Sequence, residues 1–185
     1  MLQTDNYNQG LSLYEQGRYA DALKLLAPLS HSPGLFGRLA KFYCGKCHQA
    51  AGIESLATGN FHAAESHLRA AVETIGRSSE LATYLASLYA STDRYPSCVR
   101  EMEKVVALDP DSSQSHRRLA MAQWRDGERA RAYMTIGGAL RRFGNDSMLL
   151  MQLGLFHAAQ GQYSQARASL SQATQADRPN ASAHY

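Results

Sequence analysis

The sequence has 185 residues, of which 44% are hydrophobic, and a formal net charge of +3. That length suffices for one ordinary domain or a short array, and so weak a charge lacks the concentrated basic face usual in nucleic-acid binders. No stretch approaches the roughly 18 apolar residues of a membrane span, and three cysteines cannot all pair, so neither a spanning helix nor a disulfide framework is expected.

Taken in order, Met1 to Tyr7 has neither the basic nor the apolar part of a signal peptide. A cytoplasmic location is expected, or a periplasmic one had a leader been removed. Helical spacing runs from about Thr4 to Leu29 around a turn at Gly17. Pro28 lacks the amide that would continue the second helix, which should stop within a turn of it. Leu35 to Ala57 has no proline and keeps its apolar residues on one side. It predicts one long helix with about two additional turns. Beyond it, helices are predicted at about 60 to 75, 79 to 91, 94 to 107, 113 to 125, 128 to 142, 147 to 159 and 162 to 176. Ser79, Ser112 and Asp146 are placed to cap helix starts. Asp177 to Tyr185 reads as a loop followed by the opening of a further helix. An array needs a polar cap on its last unit, so the chain is expected to be part of a longer protein, or to self-associate or be covered by a partner at this end.

One pattern recurs with a constant spacing. Gly59/Phe61/Ala64, Asp93/Tyr95/Cys98, Gly127/Arg129/Ala132 and Gly161/Tyr163/Ala166 are each set 34 residues after the last, a period of repeat architecture. Seven residues before each turn stand Gly52, Ala86, Ala120 and Gly154; nine after it stand Leu68, Met102, Ile136 and Leu170. Antiparallel helices approach closely where a small residue on one meets a large one on the other. Each unit is therefore expected to be a helical hairpin.

The pattern resembles the tetratricopeptide repeat. Leu153-Gly154-Leu155-Phe156-His157 followed by Gly161-Gln162-Tyr163-Ser164-Gln165-Ala166 is similar to its signature, and Leu108-Asp109-Pro110 to its inter-repeat loop. Arg129 departs from the expected aromatic and Cys98 from the expected alanine. Gly76 and Gly144 stand where the loop proline would be. The resemblance implies an all-α, right-handed superhelical solenoid of antiparallel helix pairs forming a single domain over 1–185. Its repeats fall at about 4–34, 35–78, 79–112, 113–146 and 147–180, with a sixth begun at 181–185.

The resemblance also implies that first helices line a concave groove that binds protein segments. Carried over residue by residue, the groove comprises Tyr7, Leu11 and Tyr14; Gln49, Ile53 and Leu56; Thr83, Ser87 and Ala90; Arg117, Met121 and Trp124; and Met148, Met151 and Leu155. Apolar anchors with one arginine suit an extended or helical peptide carrying an acidic group. Trp124 and the methionines have a competing role as packing between repeats. Only fragments of the family's clamp for chaperone tails are present, among them Asn8, Lys46 and Gln49.

Other chemistries find little support in the residues. Repeat four holds seven arginines against two acids between Ser115 and Gly144, but they are spread over both helices with no interleaved aromatics, so a solvated face is expected and no nucleic acid. Cys44-Gly45-Lys46-Cys47-His48 has the spacing used for covalent haem attachment. It lies inside the long helix, where buried cysteines commonly serve as small apolar side chains. No second cysteine pair completes a structural zinc site. Neither a cofactor nor a metal is therefore expected. There is no glycine-rich phosphate loop, nucleophile elbow or paired-histidine protease motif, and His62 and His67 around Glu65 do not share a face well. The expectation is a non-catalytic scaffold or adaptor, with an accessory domain of a larger enzyme or secretion component as the alternative.

Overall fold

A computed structural model describes residues 2–177. It contains α1 (Leu2–Glu15), α2 (Tyr19–Leu29), α3 (Leu35–Ala57), α4 (Phe61–Ile75), α5 (Ser79–Ser91), α6 (Tyr95–Leu108), α7 (Ser113–Arg125), α8 (Arg129–Phe143), α9 (Ser147–Ala159) and α10 (Tyr163–Ala176), with no strand among the described residues. The long helix spans 35 to 57 as expected, and the seven helices after it start and end within one residue of their predicted bounds. Pro28 sits in the last turn of α2, which stops at Leu29. The expected sixth repeat at 181–185, and self-association through that end, lie outside the described residues.

The recurring turn has a specific hydrogen-bond logic. Helices α1, α3, α7 and α9 each close with a six-to-one bond and a five-to-two bond, the arrangement of a Schellman cap. The Glu128 amide donates to the Gln123 carbonyl at 2.8 Å and the Gly127 amide to that of Trp124 at 3.2 Å; Gln162 and Gly161 repeat this on His157 and Ala158. The pivot residue must be left-handed, and Gly127 has φ 85°. Asp93 holds the same position at φ 54°, a region that aspartate tolerates better than most residues.

Second helices follow at once, packed by a repeated contact. A Cβ on Gly52 would lie 2.8 Å from Leu68 Cγ and 3.2 Å from the Leu68 amide nitrogen, and one on Gly154 would lie 2.8 Å from Leu170 Cγ. The residue seven before the turn thus lies against the one nine after it. In the fourth hairpin Ala120 and Ile136 share a core cluster, both with no exposed surface.

The chain divides into two compact units, one ending at Asp93 and one beginning at Arg94. The first comprises α1 to α5. At its start, Tyr7, Leu26, Leu29, Ala40, Cys44 and Cys47 form one core, flanked by Tyr14, Tyr19 and Tyr43. The second comprises α6 to α10, and Ile136, Leu149 and Phe156 centre its core, flanked by Trp124 and Tyr133. Side-chain caps begin several helices. The hydroxyl of Ser78, rather than the neighbouring Ser79, accepts from the Leu81 amide at 3.1 Å, because Ser79 is already the first helical residue. Ser112 and Asp146 cap α7 and α9 as expected.

Candidate functional site

In the first unit, the residues assigned to the groove separate into packed and open groups. Tyr7 and Tyr14 of α1 lie edge-on to Tyr43 of α3, with centroids 6.3 and 5.7 Å apart, and Leu11 packs against the same core. These three hold α1 to α3 more than they present a surface. Gln49 is buried and accepts from Lys46 Nζ at 3.2 Å. Ile53, Leu56, Thr83 and Ala90 are half-buried and Ser87 is exposed. Thr83 turns its hydroxyl back to the Ser79 carbonyl at 2.8 Å. Two residues outside the expected groove set extend this face: Phe42 is 47% exposed, and Lys46 Nζ lies 5.9 Å from its ring centre. Stepping the positions 49, 53 and 56 back by helical intervals reaches 46 and 42. That continuation runs into the extra turns of α3, which a standard 34-residue register does not cover.

In the second unit, the first helices α7 and α9 carry the more open set. Met121 is 38% exposed, Met148 45% and Leu155 50%, with Arg117 and Met151 half-buried. Arg117 Nη1 lies 3.7 Å from Met121 Sδ. Ser113, Gln114, Arg117, Asp146 and Met148 line a cleft of about 150 Å³. Trp124 belongs elsewhere. Its ring stacks on Phe156 at 4.3 Å with planes 6° apart, meets Tyr133 edge-on at 6.0 Å, and has the Arg129 guanidinium over it at 5.5 Å.

Asp146 couples that cleft to the fold. The sequence identifies it as a cap; its place on the cleft wall arises because the start of α9 lies beside α7. Oδ1 accepts from the amides of Met148 at 2.9 Å and Leu149 at 3.0 Å. Partial burial opposes ionisation. Hydrogen bonds from Ser113, Leu149 and Met148, with Arg117 nearby, outweigh it and hold the carboxyl below the usual aspartate range. A depressed folded value means that the unfolded state takes up the proton first as pH falls. The stability contribution is present above about pH 4, the unfolded aspartate range, and is lost as pH drops through the folded value. Asp146→Asn keeps a capping oxygen but not the charge. Urea midpoints at pH 7 and pH 3 should therefore differ less for this variant than for the native chain.

The arginine-rich fourth repeat does not assemble one cationic patch. Arg131 bridges Glu103 at 2.5 Å and Glu128 at 2.6 Å, Arg142 pairs with Asp111, and Arg129 covers Trp124. Nor do Cys44, Cys47 and His48 converge. Both thiols are buried in the core that includes α1 and α2, and burial, then the neighbouring Cys44, pushes the Cys47 thiol up to about 12. His48 instead contacts His67 on α4. Among the described residues no three histidine, cysteine or acidic side chains cluster as metal ligands, and no helix is long and apolar enough to cross a membrane.

A family model described as tetratricopeptide repeat matches residues 149–180. No curated protein matches the sequence. Among solved structures, MamA AMB-1 is 20% identical, with a TM-score of 0.63 over 95% of this chain and 91% of that one. MamA RS-1 ArsTM double mutant is 14% identical, with a TM-score of 0.67 over 97% of each. YrrB, described as a TPR protein with an unusual peptide-binding site, is 12% identical, with a TM-score of 0.66 over 93% of this chain and 84% of that one. The fold of paired helices seen in these structures thus covers nearly the whole of this chain, and the tetratricopeptide-repeat model matches it over residues 149–180, which include its last described hairpin.

Proposed function

We propose that this protein is a non-catalytic interaction scaffold that holds a peptide segment of a partner protein against α7 and α9. The observation that carries this reading is the set of exposed apolar side chains Met121, Met148 and Leu155 beside Arg117, on successive first helices of one unit. Apolar side chains that stay exposed, with an arginine among them, match the anchors of a peptide site. Methionines adapt to irregular surfaces. The guanidinium suits a carboxylate on the peptide, since a planar fork of donors can engage both of its oxygens. That YrrB is described as having a peptide-binding site agrees with this use of the fold.

Affinity capture from a lysate of the source organism tests the reading, with the native chain compared to Arg117→Glu combined with Leu155→Glu. A partner held through this face should be retained by the native chain and reduced at least tenfold by the variant, because a lost charged hydrogen bond is worth about 1.5–3 kcal/mol. Unchanged capture of the same proteins by both forms would exclude α7 and α9 as the binding face. Circular dichroism of the variant should match the native spectrum, since both substitutions leave the core intact.

A further inference from the structure

The pairing of His48 with His67 has no part in the proposed peptide site and joins the two helices of the second hairpin. His48 stands on α3 and His67 on α4, their Nδ1 atoms 3.1 Å apart and their ring centroids 5.3 Å apart. Both side chains are half-buried, so the nitrogens are partly fixed by packing yet within reach of solvent.

Two neutral imidazoles at this distance share one proton: one ring donates its Nδ1–H and the other accepts on its Nδ1 lone pair. The same spacing fits a second arrangement. Imidazole nitrogens bind Zn²⁺ at about 2.0–2.1 Å, so two of them on one ion, at angles from about 90° to about 109°, lie roughly 2.9–3.4 Å apart. The observed 3.1 Å falls within that interval. Moving the proton of one ring from Nδ1 to Nε2 leaves a lone pair on both Nδ1 atoms, with no proton lost overall, and a turn of the rings then aims both at one ion.

We propose that His48 and His67 form a two-histidine site for a late first-row divalent metal ion, which clips α3 to α4. Imidazole donors favour Zn²⁺, Cu²⁺ and Ni²⁺ over Mg²⁺ or Ca²⁺. No third protein ligand stands within this cluster among the described residues, so solvent completes the coordination and the affinity is modest. An ion that bridges two helices of the folded chain and finds no such pair in the unfolded one stabilises the fold.

Zn²⁺ titrated into protein without a histidine tag, followed by thermal unfolding, tests the site. The native chain and a His62→Gln control should gain several degrees in Tm at Zn²⁺ concentrations well above the modest Kd, reached by titrating to about a millimolar, but nothing from Mg²⁺, while His48→Gln and His67→Gln should gain little. No Zn²⁺ shift in the native chain, or an equal shift in both site variants, would overturn the proposal. Imidazole ¹⁵N resonances of the native chain provide a readout that does not depend on the variants folding. On Zn²⁺ addition the Nδ1 signals of His48 and His67 should move together; movement confined to other histidines would overturn the assignment.

Discussion

Gly52→Leu is expected to destabilise the first unit by about 3 kcal/mol, at the upper end of ordinary overpacking costs. The reason is geometric. A Cβ at Gly52 meets Leu68 Cγ at 2.8 Å, which a rotamer change could relieve, but it also meets the Leu68 amide nitrogen at 3.2 Å, which yields only if α3 and α4 separate. Leu68 has no exposed surface and cannot turn outward. Relieving the contact from the other side has its own cost, because Leu68→Ala alone should remove about 2–5 kcal/mol. The two substitutions touch one contact and should not add: the double variant should be more stable than the sum of the single effects by about 1 kcal/mol or more. Urea unfolding followed at 222 nm measures all three. Additive losses would mean that the glycine is not there for close approach.

Trp124→Ala should lower the stability of the second unit by about 2–3 kcal/mol, below the 3–5 kcal/mol of a fully buried aromatic, because the ring is half-buried. The substitution removes the stack on Phe156, the edge contact with Tyr133 and the seat of the Arg129 guanidinium. Aromatic pairs contribute about 0.5–1.5 kcal/mol beyond area burial. Trp124→Phe should recover at least half of the loss, since a smaller ring can still stack on Phe156. A Trp124→Ala variant as stable as the native chain would instead place this side chain at a binding surface.

The contrast between these residues shows what is legible in the sequence. The turn at Gly127 or Gly161 is fixed by local backbone chemistry, and the small and large positions around it by helical spacing, so hairpins and their bounds follow from a few residues. The long α3 follows in the same way from an uninterrupted stretch without proline. The face on which a side chain ends is less accessible. Trp124 shares a register position with outward residues, yet Phe156 and Tyr133, 32 and 9 residues further along the chain, give it an aromatic slot. Phe42 escapes the repeat template because α3 has more turns than that template contains. His48 draws attention through the cysteines beside it, whereas its partner is His67, 19 residues away on the next helix. Spacing reports periodicity along a helix; it carries much less about which neighbour fills the space opposite.

Site-specific photo-crosslinking in the source organism tests the peptide-binding face most directly, because it captures a partner whose identity is unknown. A photoreactive phenylalanine analogue would be placed at Met121, at Leu155 and, as a control on a second helix, at Tyr163, which is 75% exposed. If α7 and α9 hold the partner, Met121 and Leu155 will crosslink to the same protein, Tyr163 will not, and Arg117→Glu will abolish the adduct. Crosslinks that arise only from Tyr163, or adducts from Met121 and Leu155 that survive Arg117→Glu, would contradict the assignment of this surface.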